Sequence, residues 1–208
     1  MEFYEEFVPI AFTLVTYPAK FDQLCEQNPS FSRMFNLVIM DKLKDKEVHD
    51  FFKTNFDSSN IEFESEQYLK EMVYYSCGMP LIMQQIGDAI FWNLENKLIT
   101  EEITYNGIRN AALELKNKPL KNILKKIKNP HYNNILLKIG KNEKFSFKKD
   151  EIMPLLTDNE KNILTEFLDK MIQINILECV DDKLKEYEFA NIAYFVYFLI
   201  NSTFNELL

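Results

Sequence analysis

Cys77-Gly78-Met79-Pro80-Leu81-Ile82-Met83-Gln84-Gln85-Ile86-Gly87 is the stretch on which the reading of this chain turns. A glycine ends one helix, because it enters the left-handed conformation at little cost. Two residues later a proline opens the next, where its missing N–H is not needed. Gly78-x-Pro80 therefore predicts a sharp corner between two helices. Such a corner is expected to expose amides at a helix N-terminus, which suit a phosphate or a nucleotide edge. The plain alternative is a corner with no ligand.

Both flanks of the corner have helical periodicity. Upstream, Val48, Phe51, Phe52 and Phe56 fall on one face at i, i+3, i+4 and i+8. Ser65 is placed to cap a helix that turns Tyr68, Leu69, Met72 and Val73 inward. Downstream, the helix opened by Pro80 runs to about Asn96, and Thr100 caps another over 101–116. Residues 44–117 thus read as a small helical bundle.

Before residue 44 the pattern changes. Residues 8–16 (VPIAFTLVT) and 36–40 (NLVIM) are short apolar runs, read as buried strands with a helix near 19–27 between them. Residues 1–43 therefore read as the end of an α/β core, with the two strands at the edge of a parallel sheet.

After the bundle, Lys116-Asn117-Lys118-Pro119 marks a domain boundary. Helices are expected near 120–128 and, with Asn129 as cap and Pro130 in its first turn, over 130–139. Phe145-Ser146-Phe147 alternates like a short strand, and a helix follows at 148–156. Thr157-Asp158-Asn159-Glu160 has capping-box spacing and opens a long helix through Met171. Residues 176–180 and 187–189 read as a hairpin around the polar turn 181–186, and an aromatic helix closes the chain over 191–203. Helix, short strand, helix, helix and hairpin is the winged-helix order, so 118–208 reads as a winged-helix domain.

Composition narrows the function. The formal charge of −8 argues against a general nucleic-acid binder. It is unevenly spread: from Lys116 to Lys149 eleven lysines face one acid, Glu143, a net of +10 that leaves −18 elsewhere. Cys25, Cys77 and Cys179 are odd in number and widely spaced, as expected of reduced thiols in a cytoplasmic protein. Two histidines make a zinc site improbable. The first residues are acidic where a signal peptide would be basic. The longest apolar run, Ala193 to Ile200, is under half of the ~20 residues a membrane span needs.

No GxxxxGK[ST] occurs, and Gly78, Gly87, Gly107 and Gly140 are too scattered to cradle phosphates. No apolar strand ends in a magnesium-binding acidic pair, and GxSxG, HExxH and CxxC are absent. Catalysis by this chain alone is not expected.

The Gly78-Met79-Pro80 segment resembles the GxP motif in the helical lid of STAND and related AAA+ ATPases. In that family the motif lies beside the adenine and ribose. The order around it agrees over roughly 8–203: apolar strand, helix, arginine after a loop, second strand, helical lid, winged helix. The first strand resembles the sensor-1 strand, with Thr13 or Thr16 at its polar position. Pro29-Ser30-Phe31-Ser32-Arg33 resembles the loop that carries an arginine finger. The resemblance implies a mostly α chain: a small α/β remnant of an ATPase core (1–43), a lid (44–117) and a winged helix (118–208). It implies Gly78, Pro80, Thr13 and Thr16 facing nucleotide, and Arg33 acting on the nucleotide of a neighbouring subunit. ATP or ADP with Mg would be held only if the missing P-loop half is supplied. That half, or a neighbouring subunit, is the implied partner. Leu81 stands where several relatives keep a sensor-2 arginine, so that role has no evident holder.

An alternative rests on the lysines. Lys121, Lys125, Lys126, Lys128, Lys148 and Lys149 could track a nucleic-acid backbone. The helix over 158–171, the recognition helix by order, is net −2, where major-groove reading normally needs Arg, Asn or Gln, and the turn after it adds Asp181 and Asp182. A protein contact at the winged helix is therefore favoured over DNA, and no membrane partner is expected. Arg33 could instead sit in a surface ion pair.

Overall fold

The computed structural model describes residues 12–15, 18–118 and 120–204. The chain is mostly helical and divides into two compact units, Met1–Asp41 and Lys42–Leu208.

In the first unit, helix α1 (Pro18–Gln27) is followed by a short helix α2 (Phe31–Met34). The loop between them is held by its own polar groups. Asn28 Oδ1 accepts from the Ser30 amide at 3.1 Å, and Ser32 Oγ donates to the Pro29 carbonyl at 3.1 Å. Phe31 lies between Phe21 and Phe35, with ring centroids 6.0 and 4.7 Å away.

The strand expected over 36–40 is not formed, and the one expected over 8–16 is described only at 12–15, where no strand is present. Residues 12–15 and 36–40 have no regular structure, while 8–11 and Thr16 lie outside the described residues. Leu37, Val38, Ile39 and Met40 are 59–92% exposed. A strand exists only through pairing with a neighbour, and among the described residues no strand lies in this unit.

The second unit opens with α3 (Asp45–Ser58), which buries Val48, Phe52 and Phe56. Phe51, expected on the same face, is 41% exposed. It stands one residue before Phe52, about 100° around the helix, and cannot share the core with it fully. A two-residue strand, β1 (Glu62–Phe63), leads to α4 (Glu66–Ser76), capped by Ser65 Oγ accepting from the Gln67 amide at 3.2 Å. Then come α5 (Pro80–Trp92), β2 (Leu98–Ile99) and α6 (Glu101–Asn117). β1 and β2 pair in parallel, Glu62 with Leu98 and Phe63 with Ile99, and staple the loops at one end of the four-helix bundle. α5 and α6 lie so close that a Cβ at Gly107 would come 2.3 Å from Ile90 Cγ1.

The region expected to hold a helix over 120–128 forms only α7 (Lys121–Leu124), then a turn. α8 (Pro130–Lys141) begins at Asn129, whose Oδ1 accepts from the His131 amide at 3.0 Å. β3 (Ser146–Lys148), α9 (Lys149–Ile152) and a 3-10 turn (Met153–Leu155) precede α10 (Asp158–Gln173). α10 is opened by the expected capping box: the Glu160 amide donates to Thr157 Oγ1, and Glu160 Oε2 accepts from the Thr157 amide. β4 (Leu177–Asp181) and β5 (Glu186–Phe189) form the hairpin, and α11 (Ile192–Phe204) follows. The three strands make one antiparallel sheet in the order β3-β5-β4, with Phe147 opposite Tyr187 and Leu177 opposite Phe189.

α11 is apolar on nearly all sides, and it is buried accordingly. It packs on α8, α6 and α4, tying the sheet-bearing half to the bundle. Gly140 on α8 permits the contact: a Cβ there would come 2.6 Å from the Phe198 carbonyl carbon. Among the described residues no helix is long and apolar enough to cross a membrane.

Candidate functional site at the Gly78–Pro80 corner

α4 ends on two successive left-handed residues, Cys77 (φ 50°) and Gly78 (φ 73°), and Pro80 starts α5. The corner predicted from the sequence is therefore present. Its chemistry differs from the expectation that it bares amides.

The amides of the corner are largely used within the chain. Cys77 N donates to Tyr74 O at 3.2 Å, Met79 N to Ser76 O at 3.0 Å, and Gly78 N makes a long 3.4 Å contact with Ser76 Oγ. Ile82 and Met83 both donate to Met79 O. Proline has no amide to offer. Gly78 itself is buried. A Cβ on it would come 2.2 Å from Leu43 O, while the Leu43 amide donates to Gly78 O at 2.9 Å. The corner thus grips the chain where it enters the bundle.

What the corner presents to solvent is apolar. Pro80 is exposed, Leu81 is 48% exposed and Met79 is half-buried. Such an edge suits the flat face of a base or ribose better than a phosphate. Burial pushes the Cys77 thiol up to about 11, so it is inert at neutral pH.

Gly78 and Pro80 are brought together on this corner. Thr13 and Arg33 belong to the first unit, and both are exposed. Arg33 makes no ion pair among the described residues, so the surface-pair alternative finds no partner there. Thr16 lies outside the described residues.

The lysines divide into two groups. Lys121, Lys125, Lys126 and Lys128 cluster on α7 and the turn after it, exposed and without an ion pair among the described residues. Lys148 is exposed at the end of β3, and half-buried Lys149 donates to Thr165 Oγ1 at 3.1 Å. The basic stretch is partly neutralised from within. Lys144 pairs with Glu151 at 3.0 Å and holds its carboxyl below the usual range. Lys138 reaches Glu160 at 2.5 Å. The exposed face of α10 carries Asp158, Glu166 and Asp169 against Lys161, so it remains acidic.

One polar cluster carries no motif. Gln67, Glu71, Tyr74 and Tyr75 share a face of α4, at i, i+4, i+7 and i+8, and with Tyr105 and Phe204 they line a cavity of about 470 Å³. The helical spacing was legible, but Tyr105 and Phe204 reach it only through the packing of α6 and α11. Among the described residues no three His, Cys, Asp or Glu side chains are grouped to hold a metal.

Compared with known proteins, the chain matches no family model, no curated protein and no solved structure.

Proposed function

We propose that this chain is the C-terminal part of a P-loop ATPase of the AAA+/STAND type. Its bundle, α3–α6, acts as the lid over nucleotide held by a P-loop half, and the region from α8 to α11 acts as a winged-helix interaction domain. The observation that carries this reading is the run Leu37–Met40. Four large apolar side chains, in a sequence that reads as a core strand, stand exposed just before the bundle. Exposing them costs about 1.5–3 kcal/mol for each side chain that could be fully buried, so they fit a sheet supplied from elsewhere.

The reading assigns roles as follows. Pro80, with Leu81 beside it, offers an apolar edge to the base and ribose, and Gly78 shapes that edge. Thr13 and Thr16 belong to the sensor strand that would complete the sheet. Arg33, exposed and without an ion pair among the described residues, is available to a nucleotide held by a neighbouring subunit. ATP or ADP with Mg would be contributed through the P-loop half. Closure over nucleotide would pass through α4 and α6 to α11, which packs on both, and so to the winged-helix region.

Hydrogen exchange tests the carrying observation. Amides of residues 37–40 should exchange freely in this chain alone and become protected when the P-loop half is added. Equal exchange in both states would sink the reading.

A second reading is a stand-alone winged-helix module that holds nucleic acid, favoured by the exposed cluster of Lys121, Lys125, Lys126 and Lys128, which has no ion pair among the described residues. The acidic exposed face of α10 favours a protein partner for the winged-helix region instead.

A further inference from the structure

The cavity between α4, α6 and the end of α11 is separate from the Gly78–Pro80 corner and plays no part in the nucleotide reading. Its walls are aromatic. Phe204 stands 5.5 Å from both Tyr75 and Tyr105, ring centroid to centroid, and Tyr74 is set edge-on to Tyr75 at 5.0 Å. Glu71 lies in the wall. Its Oε1 accepts from Gln67 Nε2 at 3.0 Å and sits at 3.5 Å from the Tyr105 hydroxyl. Its Oε2 is buried and has no hydrogen-bond partner among the described residues.

The polar groups decide the sign of the ligand. The Tyr105 hydroxyl is directed at Glu71, and burial first, then Glu143, raise the Tyr74 hydroxyl above its ordinary range. With its hydrogen so directed, the Tyr105 oxygen offers lone pairs rather than a donor. Burial pushes the Tyr105 hydroxyl above its ordinary range, and the negative charges of Glu71 and Glu101 add to that shift. Lys70 also lines the cavity and opposes them with one positive charge. The carboxylate of Glu71, set in a wall of aromatic rings, attracts a positively charged donor.

We propose that this cavity binds a small alkylammonium ligand, its N–H groups directed at Glu71 and its methylenes against Tyr75, Tyr105 and Phe204. The volume falls within the range of small-molecule pockets. Because α4, α6 and α11 each supply a wall, the ligand braces the terminal helix on the bundle and stabilises the folded chain.

Calorimetric titration of putrescine into the full chain, at constant ionic strength, tests this. Saturable putrescine binding is expected, with inorganic phosphate giving none. Glu71→Gln should weaken binding about tenfold or more. Lys70→Gln should tighten it, because a like charge leaves. Absence of saturable putrescine binding, or binding of phosphate instead, overturns the proposal, as does unchanged affinity in a folded Glu71→Gln variant. Should Glu71→Gln not fold, Lys70→Gln decides: tighter binding supports the proposal, and unchanged or weaker binding overturns it.

Discussion

The backbone of Leu43 is locked onto the backbone of Gly78: the Leu43 amide donates to the Gly78 carbonyl at 2.9 Å, and the Leu43 carbonyl fills the space a side chain at 78 would need. Gly78 is required twice here, by its φ of 73° and by this contact. Gly78→Ala should therefore cost about 3 kcal/mol, since neither backbone can yield as a flexible side chain would. Urea unfolding measures it. A loss below about 0.5 kcal/mol would contradict the contact, as that is the range of an ordinary surface change.

The α8–α11 contact makes a second prediction. With Phe198 backbone atoms within 3 Å of a Cβ at position 140, Gly140→Ala must push the two helices apart. The expected loss is about 1–3 kcal/mol. Gly87→Ala is the control, because its nearest neighbour is the Phe52 ring at an ordinary 3.6 Å. Removing a glycine from the helix interior there should be neutral or stabilising by up to about 1 kcal/mol. Equal effects at both positions would contradict the packing.

Glu160 gives a pH dependence. Burial pushes its carboxyl up, but Lys138 and the Thr157 amide and hydroxyl outweigh burial and hold it below the ordinary value. A carboxylate lowered in the folded state adds stability that is fully present above its unfolded pKa of about 4.3 and is lost as pH falls through the folded value. Glu160→Gln should therefore cost about 1–2 kcal/mol at neutral pH, discounted because Lys138 is one-third exposed, and the gap to the parent should close below about pH 4. A gap that stays constant down to pH 3 would show that the pair does not titrate with folding.

The lysine cluster separates the two functional readings. Under the ATPase reading, DNA binding is weak, and Lys125→Glu with Lys126→Glu leaves it little changed. Tight binding in a gel shift that collapses between low and moderate salt, and is abolished by those substitutions, would favour the nucleic-acid module.

From residue 44 onward the elements were largely legible, for physical reasons. Ser65, Thr100, Asn129 and Thr157 all cap helices as their side chains suggest, and Pro80 and Pro130 stand in first turns. The failures share a cause. Residues 36–40 have a strand's composition, but a strand needs a neighbour, and none is found among the described residues of this unit. At the corner, the Gly-x-Pro spacing placed the turn correctly. It could not report that Leu43, far away in sequence, would occupy the glycine's open side, or that Ser76 would take up the amides. The tyrosine cavity was hidden likewise, since α4 contributes one readable face while Tyr105 and Phe204 come from helices much later in the chain.

Equilibrium binding of a fluorescent ATP analogue with Mg tests the central claim most directly. It compares this chain alone, the P-loop-bearing segment sought in frame before Met1 or in an adjacent gene, and the two together. The account predicts negligible binding by this chain alone, and binding by the joined parts that exceeds the P-loop segment alone and falls when Pro80 and Leu81 are changed to Asp. Tight ATP binding by this chain alone would contradict it. So would joined parts that bind no better than the P-loop segment, or the lack of any such segment.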